Sequence, residues 1–126
     1  MTDFNEADRS VLLVEDNTEL AESMSFALAA YGWQTVGPAS TRADALKSLD
    51  QDSFEVAILD IDLEGEMSFP VADALRSRAI PFVFLTGEVA AEEIPDRFAA
   101  EMLLNKPIQP ESLIEALENG CRTSQG

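Results

Sequence analysis

The sequence predicts an α/β fold, a doubly wound five-stranded parallel sheet with helices on both faces. Three observations predict it. Short apolar runs of strand length alternate with helical stretches along the whole chain. The runs are apolar throughout rather than alternating, as in strands buried on both faces. Successive runs end in acids, a hydroxyl or an amine, the chemistry that collects where ligands bind in open parallel sheets.

The elements follow in order. Ser10–Val14 is a buried strand ending at Glu15-Asp16. Asn17 or Thr18 caps a helix reaching about Tyr31, and Gly32 stops it. Thr35-Val36 is a weaker strand before Pro38. Thr41 caps a helix through about Leu49, with Asp44 at the capping-box position. Val56–Leu59 is the third strand, again ending in acids. Residues 61–68 read as a loop and Val71–Arg78 as a helix. Pro81–Leu85 is the fourth strand, ending at Thr86-Gly87. In 88–100, Pro95 makes any fourth helix short or broken. Met102–Leu104 is the fifth strand, ending at Asn105-Lys106-Pro107, and Pro110 opens a last helix that stops at Gly120.

A chain of 126 residues is read as one domain over 10–120, with a disordered tail at 1–9 and a frayed one at 121–126. That leaves no room for a separate effector domain, so any regulation is expected to act by contact. The net charge is −16, from 24 acids against 8 bases, which gives no electrostatic reason to bind nucleic acid or an anionic membrane. The charge serves a divalent-cation site, a basic partner or simply solubility. The absence of histidine excludes Ser-His-Asp and Cys-His nucleophiles and any imidazole metal site. The lone Cys121 forms no internal disulfide and is read as a structural helix residue. With no signal peptide and no apolar run of membrane-spanning length, the expected location is the cytoplasm.

The strand ends bring together Glu15, Asp16 and Asp60, with Asp62 nearby, then Thr86 and Lys106. Two unit charges at ~4 Å repel by roughly 1 kcal/mol in water and about 4 kcal/mol at an effective dielectric near 20. A hard divalent cation with oxygen ligands removes that repulsion, and few ligands with open water positions favour Mg²⁺ over Ca²⁺. A carboxylate so placed can attack a phosphoryl donor and form an acyl phosphate, with the Lys106 ammonium balancing charge and the Thr86 hydroxyl donating a hydrogen bond. Pro107 biases Lys106 away from helical dihedrals and aims it back at the site, through a cis bond in one reading.

These positions resemble the receiver domain of two-component response regulators over residues 10–120. The resemblance implies the flavodoxin-like receiver fold with strand order 2-1-3-4-5 and five helices. It implies Asp60 as phosphoacceptor and Glu15 with Asp16 as the metal-binding pair, Asp16 coordinating directly. The backbone carbonyl of Asp62 completes the Mg²⁺ shell, Thr86 is the hydroxyl position, and Lys106-Pro107 the lysine-proline pair. The implied partners are a sensor histidine kinase and, for a phosphorylation-gated binder, a downstream regulatory protein. The chain would otherwise act as a phosphate sink or feedback regulator, the role slightly favoured without an output domain. It would be no enzyme beyond turning over its own aspartyl phosphate. Gly65-Glu66, Ser68, Val71–Leu75, Pro81–Phe84 and Thr86-Gly87 are similar to stand-alone alphaproteobacterial receivers with a Phe-x-Thr-Gly signature. Many of those work with stress- or light-responsive kinases.

Two departures stand out. Leu103 occupies the position three before the lysine where most receivers carry an aromatic switch residue, and Glu88-Val89 follow Thr86-Gly87 where the subfamily places a tyrosine. One rival reading is a degenerate receiver that binds partners without phosphorylation. Another is a haloacid-dehalogenase-type phosphatase, with Asp60 as nucleophile and Asp62 as general acid. Against the phosphatase, the acids precede the lysine and there is no room for a cap domain. On the first helix, Leu20, Met24, Leu28 and Tyr31 form a core stripe. Phe26 lies about 140° off it, at roughly 100° per residue. Phe26 is therefore expected to be exposed, either as a contact for a kinase helix or as a single exposed apolar residue.

Overall fold

The computed structural model describes residues 9–87, 94–106 and 108–125. The chain runs β1 (Ser10–Val14), α1 (Thr18–Ala30), β2 (Gln34–Ala39), α2 (Arg42–Gln51) and β3 (Val56–Asp60). It continues through β4 (Asp62–Leu63), β5 (Glu66–Met67), α3 (Phe69–Ser77) and β6 (Phe82–Thr86). A 3-10 turn (Asp96–Phe98), β7 (Leu103–Asn105) and α4 (Pro110–Gln125) complete it. The main sheet is five-stranded, in the order β2-β1-β3-β6-β7, and every pairing in it is parallel. This is the 2-1-3-4-5 order expected, counting only the strands of that sheet.

Side-chain alternation divides the core. Leu12, Val14, Ala57, Leu59, Phe82 and Phe84 face α2, α3 and the 3-10 turn. Val11, Leu13, Val56, Ile58, Val83 and Leu85 face α1 and α4. Both faces of β1, β3 and β6 are therefore buried, which is why their sequences show no polar alternation. Phe98 is 2% exposed and reaches the core from the 3-10 turn, stacked on Phe69 and edge-on to Phe82 and Phe84.

The helix starts follow the sequence closely. Asn17 Oδ1 accepts from the Leu20 N–H at 2.9 Å and Thr41 Oγ1 from the Asp44 N–H at 3.0 Å. Gly32, at φ +86°, turns the chain out of α1.

Three expectations change. The 61–68 segment holds an antiparallel hairpin, β4–β5. Glu64 (φ 52°) and Gly65 (φ 91°) both take left-handed conformations at its tip, as a two-residue hairpin turn requires. The last helix does not stop at Gly120 but runs to Gln125, so residues 121–125 are helical where a frayed tail was expected. A mid-helix glycine costs only about 1 kcal/mol relative to alanine, too little to end a helix by itself. Tyr31 is not core: it is 41% exposed. It caps α1 with φ −104° and ψ 13°, off the helical path that would continue the Leu20-Met24-Leu28 stripe, and its hydroxyl lies 3.4 Å from Glu111 Oε2. Among the described residues there are four α-helices and the 3-10 turn, and part of the stretch expected to hold a short or broken fourth helix, residues 88–93, lies outside them. The expectations for tail residues 1–8, for Glu88-Val89 and for Pro107 lie outside the described residues.

Candidate functional site

The carboxyl ends of β1, β3, β6 and β7 meet at one edge of the sheet. Parallel pairing puts them there: β1 lies beside β3, β3 beside β6 and β6 beside β7. Asp60 is the last residue of β3 and is 5% exposed. Glu15 follows β1 and is 1% exposed, and its N–H donates to Ala39 O at 3.0 Å. Thr86 ends β6 and is buried. Its carbonyl accepts from the Lys106 N–H at 2.9 Å, which fixes where the lysine leaves β7.

One carboxylate oxygen each of Glu15, Asp16 and Asp60 lies within 4.8 Å of the others. Lys106 Nζ reaches into this group, donating to Asp60 Oδ2 at 3.0 Å and standing 3.1 Å from Glu15 Oε1. The second contact is an ion pair rather than a directed hydrogen bond, so Glu15 Oε1 is buried without a hydrogen-bond donor. Glu15 Oε2 accepts from the Asn17 N–H at 3.1 Å.

The electrostatics follow from burial and crowding. Burial pushes the Glu15 carboxyl from 4.5 up to about 7, and the nearby Asp60 charge adds to it, while the Asn17 N–H and Lys106 oppose it. Burial likewise raises Asp60 against the pull of Lys106. Burial alone would lower Lys106, but its hydrogen bond to Asp60 and its pairing with Glu15 outweigh that, and its pKa is raised. The Lys106 ammonium thus stands between two buried carboxylates, Glu15 and Asp60, with Asp16 beside them. Hard oxygen donors, close spacing and an acceptor lacking a donor together fit a small divalent cation. The same arrangement presents a buried carboxylate, Asp60, beside a fixed ammonium and a strand-end threonine, a set that can act as a nucleophile with its charge balanced.

The structure thus brings together Glu15, Asp16, Asp60 and Lys106, with Thr86 at the adjoining strand end. Asp62 stands apart by its side chain, since its Oδ1 accepts from the Gly65 N–H at 2.7 Å inside the hairpin. The metal role that the resemblance implies for Asp62 falls on its backbone carbonyl and not on this carboxylate. Leu103 is partly exposed at the edge of β7.

Sequence reasoning read Asn17 only as a helix cap. Its N–H also holds Glu15, and the signal was its place directly after the acid pair. Arg42 was missed altogether. From the start of α2 its Nη1 donates to Met67 O at 3.3 Å, and its Nη2 lies 3.7 Å from Glu66 Oε2, so it ties the hairpin to α2. No local pattern announced that contact, which joins residues about 25 positions apart.

Comparison with known proteins places these features. The family model described as the response regulator receiver domain matches residues 11–118. The transcriptional regulatory protein GltR of Pseudomonas aeruginosa is 31% identical over 123 residues, covering 93% of this chain and 50% of GltR. The regulatory protein VanR of Enterococcus faecium is 29% identical over 115 residues, 89% of this chain and 49% of VanR. The chain therefore spans about half the length of these curated relatives. Among solved structures, SdrG from Sphingomonas melonis is similar with a TM-score of 0.78 and 34% identity, over 91% of this chain and 97% of SdrG. A CheY-like receiver domain from Methanospirillum hungatei shares the fold with a TM-score of 0.82 at 21% identity, over 93% and 96%. No helix among the described residues is long and apolar enough to cross a membrane.

Proposed function

The chain belongs to the response regulator receiver family, and on that premise we propose that Asp60 accepts a phosphoryl group from a phosphohistidine on a sensor kinase. The observation that carries this reading is Lys106 Nζ on Asp60 Oδ2 at 3.0 Å, beside carboxylates gathered within 4.8 Å. Glu15, Asp16, Asp60 and the backbone carbonyl of Asp62 are the groups that would hold Mg²⁺, with Asp16 as the direct ligand of the pair. When bound, the cation supplies positive charge opposite the phosphoryl oxygens.

The chain's own residues do the rest. An Asp60 carboxylate oxygen attacks phosphorus. The O–P bond forms as the P–N bond to the donor imidazole breaks, and the electron pair of that bond stays on the imidazole nitrogen. Lys106 neutralises charge on the acceptor side, and the Thr86 hydroxyl donates to a phosphoryl oxygen. Burial of Asp60 and Glu15 keeps bulk water from the carboxylates, so these interactions act at reduced dielectric. The product is an acyl phosphate that water later hydrolyses.

Receivers work with histidine kinases and downstream effectors. Two roles fit the same chemistry here, a phosphate sink competing for a kinase and a phosphorylation-gated binder of a regulatory protein. A sink needs rapid turnover of the phosphoryl group and a gated binder a long-lived one, so the lifetime of the Asp60 phosphate separates them. Beryllofluoride with Mg²⁺ tests the site itself. Backbone amide resonances around Thr86 and Lys106 are expected to shift in the wild type and not in Asp60→Asn. Unchanged spectra in both would count against a phosphoaccepting site.

A further inference from the structure

Beside the acid cluster lies a cleft of about 440 Å³ lined by Asp16, Thr18, Ser40, Thr41, Leu63, Glu64 and Glu66. Its walls are the β1–α1 loop, the approach to α2 and the β4–β5 hairpin. Asp16 belongs to both cleft and cluster, so the two adjoin. Its described lining holds three acids and no base. That is an adverse lining for any phosphodonor that arrives free in solution, because such donors are anions.

The hairpin is built to stay in place. Leu63 is buried in the core, and the Ser68 N–H closes the base of the hairpin on Ile61 O at 2.9 Å. Asp62 Oδ1 fixes the tip, and Arg42 straps β5 to α2. Glu64 and Glu66 are exposed on this fixed wall, and Arg42 offsets part of the Glu66 charge at 3.7 Å.

We propose that the β4–β5 hairpin is a specificity wall: Glu64 and Glu66 slow the phosphorylation of Asp60 by small anionic phosphodonors relative to a donor carried by a partner protein. The proposal rests on the reading of Asp60 as acceptor. A protein donor covers the cleft with its own surface and meets these acids with basic residues, whereas a free dianion meets them bare. With acetyl phosphate the Asp60 oxygen bonds phosphorus and the P–O bond to the acetyl group breaks. Acetate leaves with the electron pair, and no further reactant is needed.

A charge series tests it. Second-order rate constants for phosphorylation by acetyl phosphate, with Mg²⁺ saturating, are measured by intact mass at low and high salt. The rate is expected to rise from Arg42→Gln through wild type and Glu64→Gln to the Glu64→Gln/Glu66→Gln double variant. Each unit of charge should change it about twofold at low ionic strength, and the series should flatten once screening shortens the Debye length to ~3 Å near 1 M salt. Glu115→Gln, on the helix across the opposite face of the sheet, should behave as wild type and so separates a local wall from the overall charge. A hairpin acting only through structure would give neither the order nor the salt dependence. Equal rates across the series, or a Glu115→Gln rate equal to that of Glu64→Gln, overturns the proposal. Beryllofluoride binding is measured alongside. If the wild type binds it and no variant reacts with acetyl phosphate, the wall is refuted while the acceptor site stands. If it binds to none, the acceptor reading has failed and the wall falls with it.

Discussion

Lys106 Nζ lies 3.0 Å from Asp60 Oδ2, although β6 separates their two strands in the sheet. The lysine leaves the end of β7, reaches past Thr86 and meets the carboxylate at the end of β3. Its charge compensates two buried acids, Asp60 and Glu15.

Lys106→Met removes that compensation. Much of the buried negative charge is relieved by proton uptake on Glu15 and Asp60, so the expected loss of stability is about 1–3 kcal/mol at pH 8. It should be smaller at pH 5, where the acids protonate readily. Urea denaturation at both pH values checks this. Phosphorylation of the variant should slow by at least about tenfold, in line with the loss of one preorganised charge in a reacting site.

Glu15 gives a signed pH dependence. Its folded pKa of about 7 stands above the ordinary 4.5. Between those values the folded state holds more protons than the unfolded one, so stability falls as pH rises from about 4.5 to about 7 and then levels. The raised Asp60 carboxyl acts in the same direction. The fall should be on the order of 1–3 kcal/mol, from a shift of this size at 1.36 kcal/mol per pH unit, reduced for coupling. Glu15→Gln should flatten the profile. Millimolar Mg²⁺ should raise the melting temperature at pH 8 and do much less at pH 5, because binding requires the deprotonated carboxylates. Chelation should reverse the gain.

Asp62→Ala separates hairpin from chemistry. The substitution removes the 2.7 Å bond to the Gly65 N–H and should destabilise by about 0.5–1 kcal/mol. The backbone carbonyl remains, so the variant should still form the Asp60 phosphate in the presence of Mg²⁺. A complete loss of phosphorylation in a folded Asp62→Ala variant would point instead to a role for its carboxylate.

Two phenylalanines should respond in opposite ways. Phe26 is 80% exposed on α1. Phe26→Ser should therefore leave stability within about 0.5 kcal/mol. It should lower phosphotransfer from the cognate kinase if that helix face receives it, and unchanged transfer from every kinase tried would dismiss the contact. Phe98 is buried among Phe69, Phe82 and Phe84. Phe98→Ala should cost about 3–5 kcal/mol in thermal or urea unfolding.

The parallel sheet was legible because Val11–Val14, Val56–Leu59 and Phe82–Leu85 are buried on both faces, which leaves uniform apolar runs that need no long-range information. The site was legible for a related reason: parallel pairing places every strand's carboxyl end at one edge, so residue types at those ends predict who meets whom. Glu15, Asp16, Asp60 and Lys106 meet accordingly. Less legible were features set by contacts distant in sequence or by a local turn without a strong signature. The β4–β5 hairpin rests on a Glu64-Gly65 turn with both residues at positive φ, and Glu64 is not a residue that announces such a conformation. Arg42 binds Met67 across two elements, and Tyr31 leaves its stripe only because α1 ends one residue before it.

The most direct test is an intact-mass measurement of the protein incubated with Mg²⁺ and acetyl phosphate, beside Asp60→Asn. One added phosphoryl group on the wild type alone is the predicted result, and its decay gives the lifetime that separates a sink from a gated binder. An adduct of equal yield on Asp60→Asn, or no adduct on the wild type together with no response to beryllofluoride and Mg²⁺, would contradict the account.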